Sequence, residues 1–211
     1  MNTDTLIELL ARHAGQAPRR LTRRRLAPAL AAGALASLGL ALTLFRPLPA
    51  DFWATPAPWF KLVYAGALAV SAGLLAARLG RPGTSARPAW FALAGVALSA
   101  ALVGLLTLAY EPAGARLTAL FGASWTSCPW RVLGLSLPAL AATLWALHGL
   151  APTSPPRAGL AAGLLSGSLG ALGYSLVCPE PSPAFVASWY SLGIGLSGAL
   201  GAGLGARMLR W

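Results

Sequence analysis

Six long apolar stretches, separated by short polar segments, dominate this sequence. They cover residues 26–45, 62–79, 89–109, 132–150, 158–177 and 188–206, and acidic or basic side chains occur only near their ends. Each stretch has about the 20 mostly apolar residues that a helix needs to cross the hydrocarbon core of a membrane. Clusters of proline fall between the stretches, where helices begin and end. The pattern predicts an all-α fold: an integral membrane bundle of six transmembrane helices over residues 26–211, preceded by a non-membrane segment over residues 1–25.

The N-terminal segment has the pattern of a short amphipathic helix over residues 3–13. Thr5 and Glu8 match a capping box at its start. Apolar residues at helical spacing form one face, and acidic residues form another; we expect a partner to contact Asp4, Leu6, Ile7, Glu8 and Leu10. Helices that lie on membranes carry basic polar faces, so the acidic face favours a protein partner over the membrane surface. A frayed tail without a role is the alternative.

Composition supports a membrane protein and excludes an ordinary soluble domain. Only 10% of the residues are charged, against about 25% in soluble domains, so the lipid bilayer is the expected solvent of residues 26–211. The net charge is +11, but the arginines lie beside apolar stretches, which indicates membrane orientation and no direct contact with nucleic acid. Five of them are the expected topology anchors: Arg19, Arg20, Arg23, Arg24 and Arg25.

The distribution of basic residues predicts the orientation. If the N-terminus is cytoplasmic, 12 of the 16 basic residues fall in cytoplasmic segments and 4 fall outside, among them Lys61. This bias is the positive-inside pattern. It predicts a multi-pass protein of a bacterial inner membrane with both termini in the cytoplasm.

Small residues recur every four positions in the last two stretches. One row is Gly159, Gly163 and Gly167, and the other is Gly193, Ser197, Gly201 and Gly205. Such rows allow helix backbones to approach closely. They can serve packing within one bundle or a homodimer, and the sequence leaves both open.

The two cysteines, Cys128 and Cys178, are each followed by proline and fall on the predicted outer side of the membrane. The bacterial periplasm is oxidising. Three interpretations remain open from the residues alone: a structural disulfide, a pair that responds to oxidants or to a soft or heavy metal ion, and two unrelated thiols. No cofactor is required by any of them.

Motifs of enzyme active sites are absent, and no pair of carboxylates lies within the apolar stretches to relay protons. We therefore predict that the chain is not an enzyme. A small transporter or channel, or a structural subunit of a membrane complex, is the alternative to a regulatory protein.

Several motifs resemble the NrsF family across essentially the whole chain. They are Thr3-Asp4 followed by Leu6-Ile7, the linker Pro18-Arg19-Arg20, the six apolar stretches, Ser127-Cys128-Pro129-Trp130 and Cys178-Pro179-Glu180. The resemblance implies a negative regulator of an extracytoplasmic-function (ECF) sigma factor. It implies an inner-membrane anti-sigma factor that holds the sigma factor through its cytoplasmic tail. It also implies that Cys128 and Cys178 take part in sensing heavy-metal or oxidative stress.

Overall fold

The structure is a computed structural model that describes residues 3–13, 21–81, 83–150 and 152–210. These residues form eight α-helices of different lengths and one 3₁₀ helix at Ala50–Ala54, and the described ranges contain no β-strand. In chain order the helices are α1 (Thr3–His13), α2 (Leu21–Leu44), α3 (Pro56–Leu79), α4 (Arg87–Tyr110), α5 (Arg116–Phe121), α6 (Cys128–His148), α7 (Pro155–Ser175) and α8 (Pro183–Met208). Helix α8 contains a π-helical turn at Val186–Tyr190.

Within the described ranges, five helices are long and apolar enough to cross a membrane. These are α2 from Arg24, α3, α4, α6 and α8. The remaining long helix, α7, has 21 residues but contains five glycines and three serines, which lower its hydropathy. It packs against α2, α3, α6 and α8, so its side chains face other helices and need little lipid-compatible surface. The membrane-type, all-helical architecture agrees with the sequence prediction.

The two rows of small residues pack against each other inside the chain. A Cβ atom added to Gly159 would lie 2.8 Å from the Cα atom of Gly205, and one added to Gly163 would lie 2.7 Å from that of Gly198. Both distances are far below normal van der Waals contact, so only glycine permits the α7–α8 approach. The two rows therefore serve packing within one bundle, which is one of the two alternatives that the sequence left open.

Different functional groups lie at the two ends of the bundle. At one end, called here the arginine end, the Arg25 side chain lies over Gly149, and His148 Nδ1 lies 2.8 Å from the Met208 carbonyl oxygen. At the opposite end, called here the cysteine end, Cys128 begins α6 and Cys178 follows α7. The antiparallel pairing of α6 with α7 brings these two cysteines together.

Helix α3 starts earlier than the apolar pattern predicts, and this changes the assignment of Lys61. The apolar pattern predicts that Lys61 lies in an outer segment, before a stretch that begins at residue 62. Instead α3 begins at Pro56, with proline in its first turn, a position that proline favours because its missing N–H has no helical partner there. Lys61 therefore lies inside the helix and is fully buried.

Candidate functional site

Cys128 and Cys178 lie in one buried cluster at the cysteine end. Both are free thiols with 0% exposure, and both belong to one cluster of buried side chains. The Cys128 N–H donates to the Ser124 carbonyl at 2.8 Å, and the Cys178 N–H donates to the Tyr174 carbonyl at 3.0 Å. The local backbone thus holds both residues at helix ends. The structure contains no disulfide between them.

Lys61 joins this cluster from α3. Its Nζ atom donates to the carbonyl oxygen of Cys178 at 2.6 Å and also contacts the Cys178 thiol. The ammonium group lies 5.3 Å from the centre of the Phe52 ring, a cation–π contact. Charged side chains inside membrane helices are rare and mark functional sites. One feature of the sequence indicates that this lysine lies inside a helix: it is the chain's only lysine, and it follows Pro56, a proline that can start a helix, by five residues.

Glu180 ties the two Cys-Pro segments together. One carboxylate oxygen of Glu180, Oε1, accepts three hydrogen bonds of 2.9 Å, from the backbone N–H groups of Ala123 and Ser124 and from the Ser124 hydroxyl. Ser124 in turn accepts the N–H of Cys128. A side chain two residues after Cys178 therefore organises the turn four residues before Cys128. Gly122 permits this contact because its φ is +56° and a Cβ atom there would collide with the carboxylate.

Aromatic side chains surround the thiols. The Tyr174 and Tyr190 rings lie 5.7 Å apart and the Phe45 and Tyr174 rings 6.1 Å apart. Exposed Arg131 reaches the Tyr174 hydroxyl at 3.4 Å and lies over the Phe45 ring. The Tyr190 hydroxyl is fully buried and has no hydrogen-bond partner of normal geometry among the described residues, but it adjoins Cys178. These rings exclude water from the site.

Further aromatic contacts brace the same end of the bundle. The indole Nε1 of Trp189 donates to the Leu120 carbonyl at 2.9 Å, which docks the short helix α5 on α8. Trp53 and Trp59 form an edge-to-face pair with ring centres 6.0 Å apart. Tryptophan is enriched at membrane–water interfaces, so this position suits the predicted outer edge of the bundle.

The ligand set of the site limits its metal chemistry. Among the described residues, no group of three or more histidine, cysteine or acidic side chains is placed to hold a metal ion. The site therefore offers two thiols, which are soft ligands suited to Cu(I)-type ions, and it lacks the four ligands of a structural zinc site. Two nearby thiols can alternatively form a disulfide on oxidation.

The predicted partner-binding and anchoring residues that the structure describes lie on α1 and α2. Helix α1 carries Asp4, Leu6, Ile7 and Glu8, all exposed; the backbone of Leu10 is helical, while its side chain lies outside the described part. Arg24 and Arg25 are exposed in the first turns of α2. Arg23 also belongs to α2, with its side chain outside the described part, and Arg19 and Arg20 lie outside the described residues.

Comparison with known proteins gives matches along nearly the whole chain. The family described as "Negative regulator of sigma F" (NrsF) matches residues 10–211. The chain is 42% identical over 214 residues to the anti-sigma-F factor NrsF of Caulobacter vibrioides. It is 37% identical over 213 residues to the probable anti-sigma-F factor NrsF of Azospira oryzae. Both alignments cover the whole of each chain.

No solved structure matches the chain. The relatives are named as regulatory proteins, and this confirms the prediction that the chain is not an enzyme. The match along nearly the whole length shows that the chain belongs to the NrsF family of negative regulators of sigma F.

Proposed function

We propose that this chain is an anti-sigma factor of a bacterial inner membrane. It holds a sigma factor of the ECF type through its cytoplasmic N-terminal segment and releases it when Cys128 and Cys178 respond to heavy-metal or oxidative stress. The observation that carries the proposal is the family match over residues 10–211, with relatives that align over their full length. The α2 residue Arg25 lies at the arginine end and the thiols lie at the cysteine end, which supports a protein that signals from one side of a membrane to the other.

The proposed topology has six spans, with α7 as the fifth. Helix α7 has 21 residues, about the length that crosses the hydrocarbon core. Its packing against four other long helices supports a buried span in the middle of the bundle. Six spans put both termini on one side of the membrane, and the excess of arginine assigns that side to the cytoplasm. The cysteine end then faces the periplasm.

Helix α1 is the proposed sigma-binding element. Leu6 is 41% exposed and Ile7 is 59% exposed, so this apolar stripe is not used in packing the bundle. An amphipathic helix with such a stripe can dock into an apolar groove of a partner protein. Asp4 and Glu8 on the adjoining face would meet basic residues at the groove's rim, which favours the correct partner and orientation.

A path of tightly packed helices supports coupling between the thiols and α1. Cys128 is the first residue of α6, so joining its sulfur to that of Cys178 would pull on α6. Helix α6 packs closely on α2, because a Cβ atom added to Gly33 would lie 2.7 Å from the Cα atom of Ala139. Helix α2 is the one that follows the N-terminal segment in sequence. A displacement of α6 would therefore reach the base of the sigma-binding segment.

Co-purification tests the partner and the segment. The full chain is expected to retain the sigma factor encoded beside its gene, and Leu6→Asp to lose it because a carboxylate cannot enter an apolar groove without a large desolvation cost. Thr5→Asp is the matched control, since it adds the same charge in the same helical turn away from the Leu6 stripe. Equal retention by Leu6→Asp and the wild type would contradict the proposed docking face.

Promoter output tests the sensor. In cells with a reporter for the sigma factor's target promoter, Cys128→Ser and Cys178→Ser should abolish induction by cadmium salts or peroxide. The control is Thr126→Ser, an exposed position in the same turn. Normal induction in both cysteine variants would exclude the thiols as sensors while leaving the sigma-binding role standing.

A further inference from the structure

Helix α4 borders an open groove in the side of the bundle. It packs along α3 and on the first turns of α8, Pro183–Tyr190, and it separates from α8 beyond them. The gap is a cavity of about 300 Å³, called here the α4 groove, and its walls come from α3, α4, α7 and α8. Ala94 and Ala97 on its α4 wall are exposed. The groove therefore opens to the outer face of the bundle, where the hydrocarbon core is expected.

The lining of the α4 groove suits a hydrocarbon chain. Two of its polar groups satisfy each other, because the Tyr64 hydroxyl and the Ser191 hydroxyl lie 2.6 Å apart, and Ser191 also donates to the Ala187 carbonyl. The third is the indole N–H of Trp90, which lies near the start of α4, at the depth where tryptophan meets the membrane interface. Elsewhere the walls are apolar. An empty groove would forfeit dispersion contacts, and water would find few partners there, so an acyl chain is the fitting occupant.

Two arginines stand on the faces of α4 and α7 that line this groove. Arg87 precedes the lining residues Trp90 and Ala94 by three and seven positions, and Arg157 precedes the lining residue Leu164 by seven. Residues at these intervals share one face of a helix. Arg87 begins α4 and Arg157 belongs to the first turn of α7, so both lie at the arginine end, beyond the apolar part of the groove.

The charge at this mouth complements an anionic headgroup. Both arginine side chains are exposed. The acidic residues that the structure describes in the bundle, Asp51, Glu111 and Glu180, follow the far ends of α2, α4 and α7 and so lie at the cysteine end. Positive charge at the arginine end therefore has no carboxylate of the described bundle beside it. Basic pockets between transmembrane helices on the cytoplasmic side bind anionic lipid headgroups.

We propose that the α4 groove binds an anionic phospholipid, with one acyl chain between α4 and α8 and the phosphate at Arg87 and Arg157. The site lies in the leaflet at the arginine end and uses neither the thiols nor helix α1. A zwitterionic phospholipid with the same chains fits the groove equally well but carries no net charge for the two arginines to attract. The site therefore selects its lipid by headgroup charge.

Native mass spectrometry of the purified full chain in detergent tests the headgroup site. The probes are dioleoyl phosphatidylglycerol, which is anionic, and dioleoyl phosphatidylethanolamine, which has the same chains and no net charge. The Arg87→Gln, Arg157→Gln double variant should bind phosphatidylglycerol about thirtyfold more weakly, at roughly fivefold for each arginine, and phosphatidylethanolamine almost unchanged. The control is the Arg207→Gln, Arg210→Gln double variant. It removes the same charge from the same end, and Arg207 lies 16 positions after Ser191, on the opposite side of α8.

A second pair of variants tests the acyl-chain site. Gly195 lines the groove, and a Cβ atom added to it meets nothing within 4 Å, so Gly195→Leu should fold and fill the groove. Both lipids should then be lost under conditions that leave one bound to the wild type. Gly95→Leu is the matched control, because Gly95 of α4 is equally open and lies outside the lining.

Four results would overturn the proposal. The first is equal affinity of the wild type for the two lipids, and the second is an equal loss of phosphatidylglycerol in the two arginine double variants. The third is lipid binding by Gly195→Leu that matches that of Gly95→Leu. The fourth is a dimer of the wild type that Gly195→Leu dissociates, since this would assign the groove to a second copy of the chain. Glycerol 3-phosphate in excess should leave phosphatidylglycerol bound, and its displacement would show a site for phosphate alone and contradict the lipid site.

Discussion

Glu180 is expected to hold the turn that positions Cys128, and removing its carboxylate should open that turn. Three hydrogen bonds of 2.9 Å converge on one oxygen of this side chain, which is 7% exposed. A hydrogen bond to a charged group contributes about 1.5–3 kcal/mol. Because the three share one acceptor, their contributions do not simply add, and we take the total loss in Glu180→Ala as about 3 kcal/mol. At about 1.4 kcal/mol per tenfold change, the open population of the turn rises roughly a hundredfold.

The rate of maleimide labelling at Cys128 measures this opening. The wild type and variants are labelled in native membranes, and the Cys128 peptide is quantified by mass spectrometry. Glu180→Ala should label much faster than the wild type, and Glu180→Gln should lie between them because its amide oxygen still accepts hydrogen bonds without a charge. Asp51→Ala is the control, since Asp51 is an exposed carboxylate at the same end of the bundle. A Glu180→Ala rate equal to that of Asp51→Ala would refute the reasoning.

Two further predictions concern packing and orientation. Gly163→Ala should destabilise the bundle by about 1–3 kcal/mol through overpacking, lowering the thermal midpoint in detergent by roughly 2–10 °C for a chain of this size. Gly195→Ala on α8 should lower it little, because a Cβ atom there meets nothing within 4 Å; equal losses would contradict the packed α7–α8 interface. For orientation, a membrane-impermeant thiol reagent should label Gly114→Cys in intact cells and Ser85→Cys only after permeabilisation, and the reverse pattern would invert the proposed topology.

Much of the architecture could be predicted from the sequence because the insertion of a helix into a membrane depends on the length and hydropathy of that segment alone. Apolar length alone identifies α2, α3, α4, α6 and α8 as helices able to cross a membrane. The four-residue spacing of glycine indicated close helix packing, but it could not specify the partner face. That choice depends on which helices become neighbours in the folded bundle.

Helix α7 shows where local hydropathy becomes ambiguous. The glycines and serines of α7 lower its mean hydropathy. The glycines, however, allow α8 to approach closely. The serine hydroxyls form hydrogen bonds within α7, as between the Ser166 hydroxyl and the Ala162 carbonyl at 2.7 Å. A helix surrounded by other helices does not need the apolar surface that lipid demands. Sequence therefore predicts the helix, while its central position is a tertiary result.

The sequence by itself determined that two thiols would lie at helix ends and that arginine would gather at the opposite end of the bundle. The tertiary structure decided what surrounds those thiols. Lys61 bonds to a carbonyl 117 residues away, and Glu180 bonds to a turn 56 to 57 residues before it. Hydropathy and charge patterns describe each segment separately, whereas these contacts depend on which helix ends meet. The candidate sensor is thus a product of helix packing around two cysteines that the sequence had already marked.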